Sequence, residues 1–565
     1  MKKQKIVILT ATLLGIILLS IAAFVFFGTK PVYENKTIEV GTQLSSDAEE
    51  YLTGNGWLID HATVDFSDVD INTAGEYQAS CRVFFRTHKF TVNVVAPAFS
   101  TREVELGSKP DTAIATYLLG DAEFINTATL DMSGVNQDKI GKYEATVQID
   151  GLEFEYEICV IDTTAPTLEL NTEISYVAMM REYNTDAFVK SVFDLSEDVE
   201  VYFESEDGKN DALSFDEIGE ETINLVARDS SGNISKEKMQ VTVDIAPLIL
   251  GVYDTYVTVG ESFDGMDGML AYDNEEGDIT ERVTVSGDDI DTTTAGEYTV
   301  SYEATDKNGL TTEKKILVYV CEAEKKGDYA YLDDKVIPQD DLMLLCETDY
   351  FSTKPLEQED REKALELIIP ASLRIGKEWE NAKGFGSGFI YDITPEHTYI
   401  LSVWHVVAKY GESCDLMFFD DTEIHVEFEK ARANNNNELA LIKVDTNKIP
   451  SDVLLTLKEA YVDEAVYVEI EPGKPAIEHS ENWGFDERKQ LTKDTKVITV
   501  LDSLPDLFDA CCITTEGRAR SGMSGCALID LRGRVIGSAS HIYKGVDYFM
   551  RIENLDVMLE KLAEM

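Results

Sequence analysis

Positive charge is what this chain has least of. Across 565 residues, 49 Lys and Arg face 106 Asp and Glu, a formal net charge of -57. Such a surface repels polyanions and disfavours phosphate backbones, so nucleic acid is excluded as an expected partner. The eight cysteines lack obvious partners. Cys81, Cys159 and Cys321 fall one to a segment. Cys414, Cys511, Cys512 and Cys526 share the last 200 residues and could pair there in a connectivity the sequence leaves open, so most are expected to be buried thiols. Disorder is excluded as well, because 44% apolar and 9% aromatic residues suffice to fill real cores. The length is too great for one core, and several domains are expected.

A long apolar run opens the chain. "MKKQKIVILTATLLGIILLSIAAFVFFGTK" has three lysines and then an uncharged stretch from Ile6 to Phe27, about the ~20 residues a helix needs to cross a bilayer. Lys2, Lys3 and Lys5 before the run outnumber Lys30 and Lys36 just after it, which places the N-terminus inside. Residues 1–30 therefore read as a cytoplasmic tip and signal anchor in the cell membrane, with the bulk of the chain extracellular, although "SIAAF" leaves cleavage open.

Four stretches then share a pattern: "DINTAGEYQASCRVFF", "NQDKIGKYEATVQI", "FDEIGEETINLVARDSSGN" and "DTTTAGEYTVSYEATDKNG". Each has a glycine turn followed by period-two alternation, the signature of a half-buried antiparallel strand. Recurrence every ~70 to 80 residues predicts tandem β-sandwiches and excludes a solenoid, whose units are shorter. Prolines at Pro97, Pro166 and Pro247 mark the junctions and give repeats over 31–96, 97–163, 164–245 and 246–321. "DTTAPTLEL", "ARDSSGN", "AYDNEEGDIT" and "AGEYTVSYEATDKNG" resemble bacterial immunoglobulin-like repeats, a resemblance that implies a stalk or a module for a surface ligand. Asp273, Asp278 and Asp306 are candidate calcium ligands, but aspartates in these places ordinarily form turns, and no metal site is expected. Residues 322–355 are charged and irregular and read as a linker, after which 356–565 form the last domain, opening with the helical pattern "EQEDREKALELII".

Three segments of that domain belong together. "GFGSGFIYD" feeds an apolar strand, "TYILSVWHVVAK", expected to end at His405. In "NNNNELALIKVD" a polar loop gives way to a strand at Glu438. "RARSGMSGCALIDLRGRVIG" places Ser524 in a bend between Gly522 and Gly525. Taken singly, these are a core histidine, a strand-entry charge and a permissive turn. Together they supply a hydroxyl, an imidazole, a carboxylate and two amides, Gly522 and Ser524, for an oxyanion, which is what acyl transfer requires.

The order of these motifs is that of the chymotrypsin-type double barrel, and "GSGFI", "ILSVWHVV", "ELALIKV" and "SGMSGCALIDLRGRVIG" resemble trypsin-like serine peptidases of the bacterial high-temperature-requirement type over about residues 370 to 562. The expected fold is mainly β: the N-terminal transmembrane helix and four Ig-like sandwiches, then, as the resemblance implies, a double β-barrel whose closing helix presents Leu555, Met558, Leu559 and Leu562. The resemblance also implies an endopeptidase acting on protein or peptide substrates through Ser524, His405 and Glu438, with no cofactor. Glu438 stands where the family has aspartate, which moves the carboxylate by ~1.5 Å unless the backbone adjusts. Replacing it with Asp is expected to preserve or raise the rate. Met523 cannot form the buried ion pair by which digestive members sense a freed N-terminus. No peptide-binding module follows the peptidase, so recognition is expected from upstream. Arg518 and His541 are candidates for the primary pocket, where positive groups favour an acidic residue. The competing readings are a peptidase-shaped binding or sensing domain without turnover, and an adhesin.

Overall fold

The computed structural model describes residues 2–196, 198–206, 208–377, 385–481, 490–502, 511–517 and 519–565. The chain divides into two compact units, one of Met1–Glu173, Tyr183–Leu213 and Thr222–Gln240, the other of Ile174–Glu182, Ser214–Glu221 and Val241–Met565.

The first unit begins with the helix Lys2–Phe27, which contains no proline and stops at Gly28. Its segment Ile6–Phe27 has a mean hydropathy of 2.7 and is the one helix among the described residues long and apolar enough to cross a membrane. Two sheets of the same design follow. Asn35–Glu39 runs parallel to Arg86–Pro97, which pairs antiparallel with Gly75–Val83, itself paired with Ala62–Asp65. The next repeat copies this with Thr101–Glu105, Leu152–Ile161, Gly141–Ile149 and Thr129–Asp131. Alternation does the sorting, so that Ala145, Val147 and Ile149 are buried while Glu144 and Gln148 face water. Short helices cover each sheet. Asn55 Oδ1 caps Gly56–Asp60 by accepting the Leu58 N–H at 3.3 Å, and Asp121 caps Ala122–Ile125 by accepting those of Glu123 and Phe124, both at 3.1 Å.

In the second unit, residues 246–321 form two sheets. Thr255–Thr258 lies parallel to Thr311–Cys321, followed by Gly296–Thr305 and Thr284–Ser286. Across a core of Ile249, Ala271, Val300 and Val318, the smaller sheet joins Leu248–Leu250 to Leu270–Asp273.

Residues 322–355, expected as an irregular linker, are folded. Ala323–Asp333 is a 3₁₀ helix whose Tyr329 ring lies 5.0 Å from that of Tyr319. Gln339–Glu347 is an α-helix burying Leu342 and Leu345. With Ile337, Tyr350 and Phe351 they share an apolar cluster with Leu248, Leu250 and the interior of the following barrel. Apolar residues on one face of a single short helix are easily hidden among charges in the sequence.

Two closed barrels complete the unit. The first has strands β1 (Ser372–Gly376), β2 (Gly386–Ile393), β3 (His397–Val403), β4 (Ser413–Phe418), β5 (Glu423–Ala431) and β6 (Leu439–Asp445) in the order β1-β2-β3-β6-β5-β4. The second has β7 (Pro475–Ser480), β8 (Leu491–Leu501), β9 (Cys512–Glu516), β10 (Ala527–Ile529), β11 (Val535–Tyr543) and β12 (Val546–Met550) in the matching order β7-β8-β9-β12-β11-β10. The helix Leu555–Ala563 closes the structure, with Leu555, Met558 and Leu562 buried and Leu559 partly so in a core shared by both barrels. None of the eight cysteines, all among the described residues, is in a disulfide.

Candidate active site

The chain leaves β3 at Val403, and His405 belongs to the single helical turn Trp404–Val407 rather than to the strand. That turn is pinned to the entrance of the neighbouring strand β6, because the Trp404 N–H donates to the Glu438 carbonyl at 2.5 Å. Val406 and Val407 are buried, which leaves the His405 side chain about one-third exposed (34%). Glu438 lies just ahead of β6, in a bend shaped by buried Asn437, whose Oδ1 accepts the Leu439 N–H at 2.9 Å. Glu438 Oε2 accepts from His405 Nδ1 at 2.8 Å and from the His405 backbone N–H at 3.3 Å. With an ionised carboxylate as acceptor, Nδ1 carries the proton and Nε2 is the basic nitrogen. Burial pushes the Glu438 carboxyl up, but its hydrogen bond to the imidazole and the charges of His405 and His541 outweigh this and leave it below the usual carboxylate range.

Ser524 occupies a bend gripped by both barrels. Its carbonyl accepts the Ser387 N–H from β2 at 2.7 Å, and the next N–H, of Gly525, donates to Ala539 of β11 at 2.7 Å. Gly525 has φ +95°, and a Cβ there would lie 1.9 Å from the Ser387 carbonyl oxygen. Gly386 is as confined, since its Cβ would meet the Val406 side chain at 2.5 Å and the Ser524 carbonyl oxygen at 2.8 Å. Absence of a side chain at these two positions is what lets β2, the histidine turn and the serine bend touch. Gly522 has φ +98°, and its carbonyl accepts from Ser387 Oγ at 2.9 Å. Ser387 Oγ also lies 2.9 Å from Ser480 Oγ, and Ser402 Oγ donates to the Ser387 carbonyl at 2.7 Å, making a buried hydroxyl seam between the barrels. The serine of "GSGF" was the available sign of this seam.

His405 and Ser524 border one cavity of about 250 Å³, along with Ala519, Met523, His541 and Asp547. His541 lies within β11 rather than after it, its ring 5.1 Å from that of His405, with Ser540 Oγ 2.7 Å from its Nδ1. Burial and the neighbouring His405 lower the pKa of His541. Arg518 lies outside the described residues. Sequence reasoning missed the charges beneath the bend. Buried Asp547 accepts the Ala519 N–H at 2.9 Å and Lys493 Nζ at 3.3 Å, and Lys493 also reaches Glu478 at 3.3 Å and the Glu516 carbonyl at 2.7 Å. These partners lie on β7, β8 and β12, and the lone acid in "VDYFM" was the sole hint of them.

Among the described residues, ligand atoms of His405, Glu438 and His541 lie within 4.8 Å of one another, as do those of Asp162, Asp194 and Asp229. The three aspartates considered for calcium act in turns: Asp273 accepts the Glu275 and Glu276 N–H groups, Asp278 that of Thr280, and Asp306 those of Asn308 and Leu310.

Residues 386–537 match the family model of the trypsin-like peptidase domain, and residues 248–320 that of the bacterial surface protein Ig-like domain. The pesticidal crystal protein Cry22Aa of Bacillus thuringiensis is 29% identical over 201 residues, 33% of this chain and 27% of that protein, so the chain spans about a quarter of that relative. Among solved structures, Deg5 is 18% identical with a TM-score of 0.28, covering 36% of this chain and 92% of its own. The serine endoprotease from Yersinia pestis is 16% identical with a TM-score of 0.27, covering 37% and 68%. The two barrels thus belong to a trypsin-like peptidase domain, carried behind an Ig-like domain of the bacterial surface type.

Proposed function

We propose that the chain is a single-pass, outward-facing serine endopeptidase of the cell surface. Ser524 attacks the substrate carbonyl carbon while His405 Nε2 takes its proton. Glu438 keeps the imidazole in the tautomer that can accept and stabilises the imidazolium that forms, and the Gly522 and Ser524 amides receive the oxyanion. His405 then protonates the leaving amine, and water cleaves the acyl-enzyme by the same proton route reversed. This chemistry calls for no organic cofactor. Ile6–Phe27 anchors the chain, and the lysines ahead of it set its direction.

The reading rests on one observation. A carboxylate is 2.8 Å from His405 Nδ1, on an imidazole that borders the same cavity as Ser524, within the segment that matches the trypsin-like peptidase model. The full chain in detergent, treated with a fluorophosphonate probe, tests it. Wild type should label and Ser524→Ala should not; equal labelling of both, or of neither, defeats the assignment of Ser524 as the nucleophile.

A further inference from the structure

The first two repeats close their long hairpins with two-residue turns in the same register, Val83 opposite Arg86 and Ile149 opposite Leu152. In the second repeat the turn is Asp150-Gly151, with φ of +45° and +85°, the residue types such a turn favours. In the first it is Phe84-Phe85, and Phe84 takes φ +52°. That conformation costs a bulky side chain on the order of 1–2 kcal/mol, and although the Phe84 ring lies 6.2 Å from that of His61, Phe84 and Phe85 remain 46% and 61% exposed. Trp57, 56% exposed, lies with its ring 5.8 Å from that of Phe84 and nearly parallel to it. An apolar cluster held out into solvent at a strained turn calls for surroundings other than water.

Its position identifies them. At 1.5 Å per residue the 22 residues of Ile6–Phe27 extend about 33 Å, the thickness of a hydrocarbon core. No linker separates that helix from the first repeat. Asn55 donates its N–H to the Gly28 carbonyl at 2.8 Å, and Thr29–Pro31 pairs with Leu52–Gly54. Arg86, next to Phe85, holds its guanidinium 4.4 Å from the Phe26 ring centre and donates to the Thr29 carbonyl at 3.3 Å. Residues 29–36 and 82–89 carry Lys30, Lys36, Arg82, Arg86 and Lys89 against Glu34, a basic collar on a chain of net charge -57, with Lys36 also 3.5 Å from Glu50.

We infer that Trp57, Phe84 and Phe85 form an interfacial belt that enters the headgroup region of the outer leaflet, with the basic collar on lipid phosphates, and fixes the first repeat against the bilayer. The proposal rests on the anchor reading of Ile6–Phe27. Aromatic rings favour this depth because they are apolar bodies with polarisable or hydrogen-bonding edges, and each nearby cation adds attraction to anionic lipid.

The test uses the full chain in vesicles of phosphatidylcholine and phosphatidylglycerol with acyl chains brominated near the headgroup, where bromine quenches tryptophan at contact range. A fraction of the emission should be quenched in wild type, and that fraction should disappear in Trp57→Phe. Phe84→Asp combined with Phe85→Gly installs the turn of the second repeat and so keeps the hairpin folded. It should lose most of the Trp57 quenching and shift the Trp57 emission to the red. Equal quenching in wild type and Trp57→Phe, or undiminished Trp57 quenching in the Asp-Gly variant, overturns the belt. Flotation with vesicles but no Trp57 quenching refutes the belt alone; failure to float refutes the anchor and the belt with it.

Discussion

Glu438 holds His405 at two points, Oε2 to Nδ1 at 2.8 Å and Oε2 to the backbone N–H at 3.3 Å, while its own carbonyl is fixed by Trp404. The longer side chain is therefore part of how the imidazole is aimed, and its backbone has little freedom to follow a shorter one. From sequence alone Glu438→Asp is expected to preserve or raise the rate; the geometry predicts a loss on the order of 10²-fold, the scale of a misplacement of about 1 Å. Second-order rates of fluorophosphonate labelling check this, and an unchanged rate would show that the loop yields.

Gly525→Ala and Gly545→Ala separate backbone conformation from close approach. Both glycines have positive φ, +95° and +81°, but a Cβ at 525 would strike the Ser387 carbonyl oxygen at 1.9 Å, whereas at 545 nothing lies within 4 Å. Gly545→Ala should lower stability by about 1 kcal/mol. Gly525→Ala should cost several times that and abolish labelling. Thermal unfolding and probe labelling read both.

Glu478 gives the second barrel a pH dependence. Burial, followed by the repulsion of Asp547, raises its carboxyl to about 7 against the attraction of Lys493 and the Thr515 hydroxyl. Between the ordinary carboxylate range and pH 7 the folded chain binds the proton that the unfolded chain releases. This stabilisation is complete at acid pH and is lost as pH rises through about 7. Urea unfolding should show wild type losing on the order of 3 kcal/mol over that window through this group. Glu478→Gln should lack this component of the slope.

Ser387→Ala removes the hydroxyl that meets the Gly522 carbonyl and Ser480 Oγ, each at 2.9 Å. The buried partners then lose a hydrogen bond worth about 1–3 kcal/mol. The labelling rate is expected to drop about tenfold or more as the bend that carries Ser524 loosens, with the circular dichroism spectrum unchanged. A rate equal to wild type would mean that Gly525 and Ala539 suffice to hold the bend.

The barrels were legible because their signals are local: glycines bracketing Ser524, an apolar run before His405, and a polar loop giving way to a strand at Glu438. What escaped depends on register between distant strands. Glu478, Lys493 and Asp547 meet only because β7, β8 and β12 close one barrel, and no spacing along the chain announces three charges brought together in this way. His541 was noticed, but its place inside β11, facing His405, follows from a bulge near Ser540 that periodicity does not show. The folded state of 322–355 escaped for the opposite reason: Leu342 and Leu345 are ordinary core residues diluted by aspartates. Phe84-Phe85 stood in a quoted motif, yet its oddity emerged only beside Asp150-Gly151.

Leu248 and Leu250 belong to the Ig-like repeat by sequence and to the interior of the first barrel by packing. Excising the last domain at residue 356 for expression would tear that cluster open, parting Leu248, Leu250, Leu342 and Leu345 from Leu373, Ile375 and Ile400. The smallest piece that dissolves cleanly should begin near Ala246, and an engineer grafting the two barrels onto another chain must carry the last bead along with them.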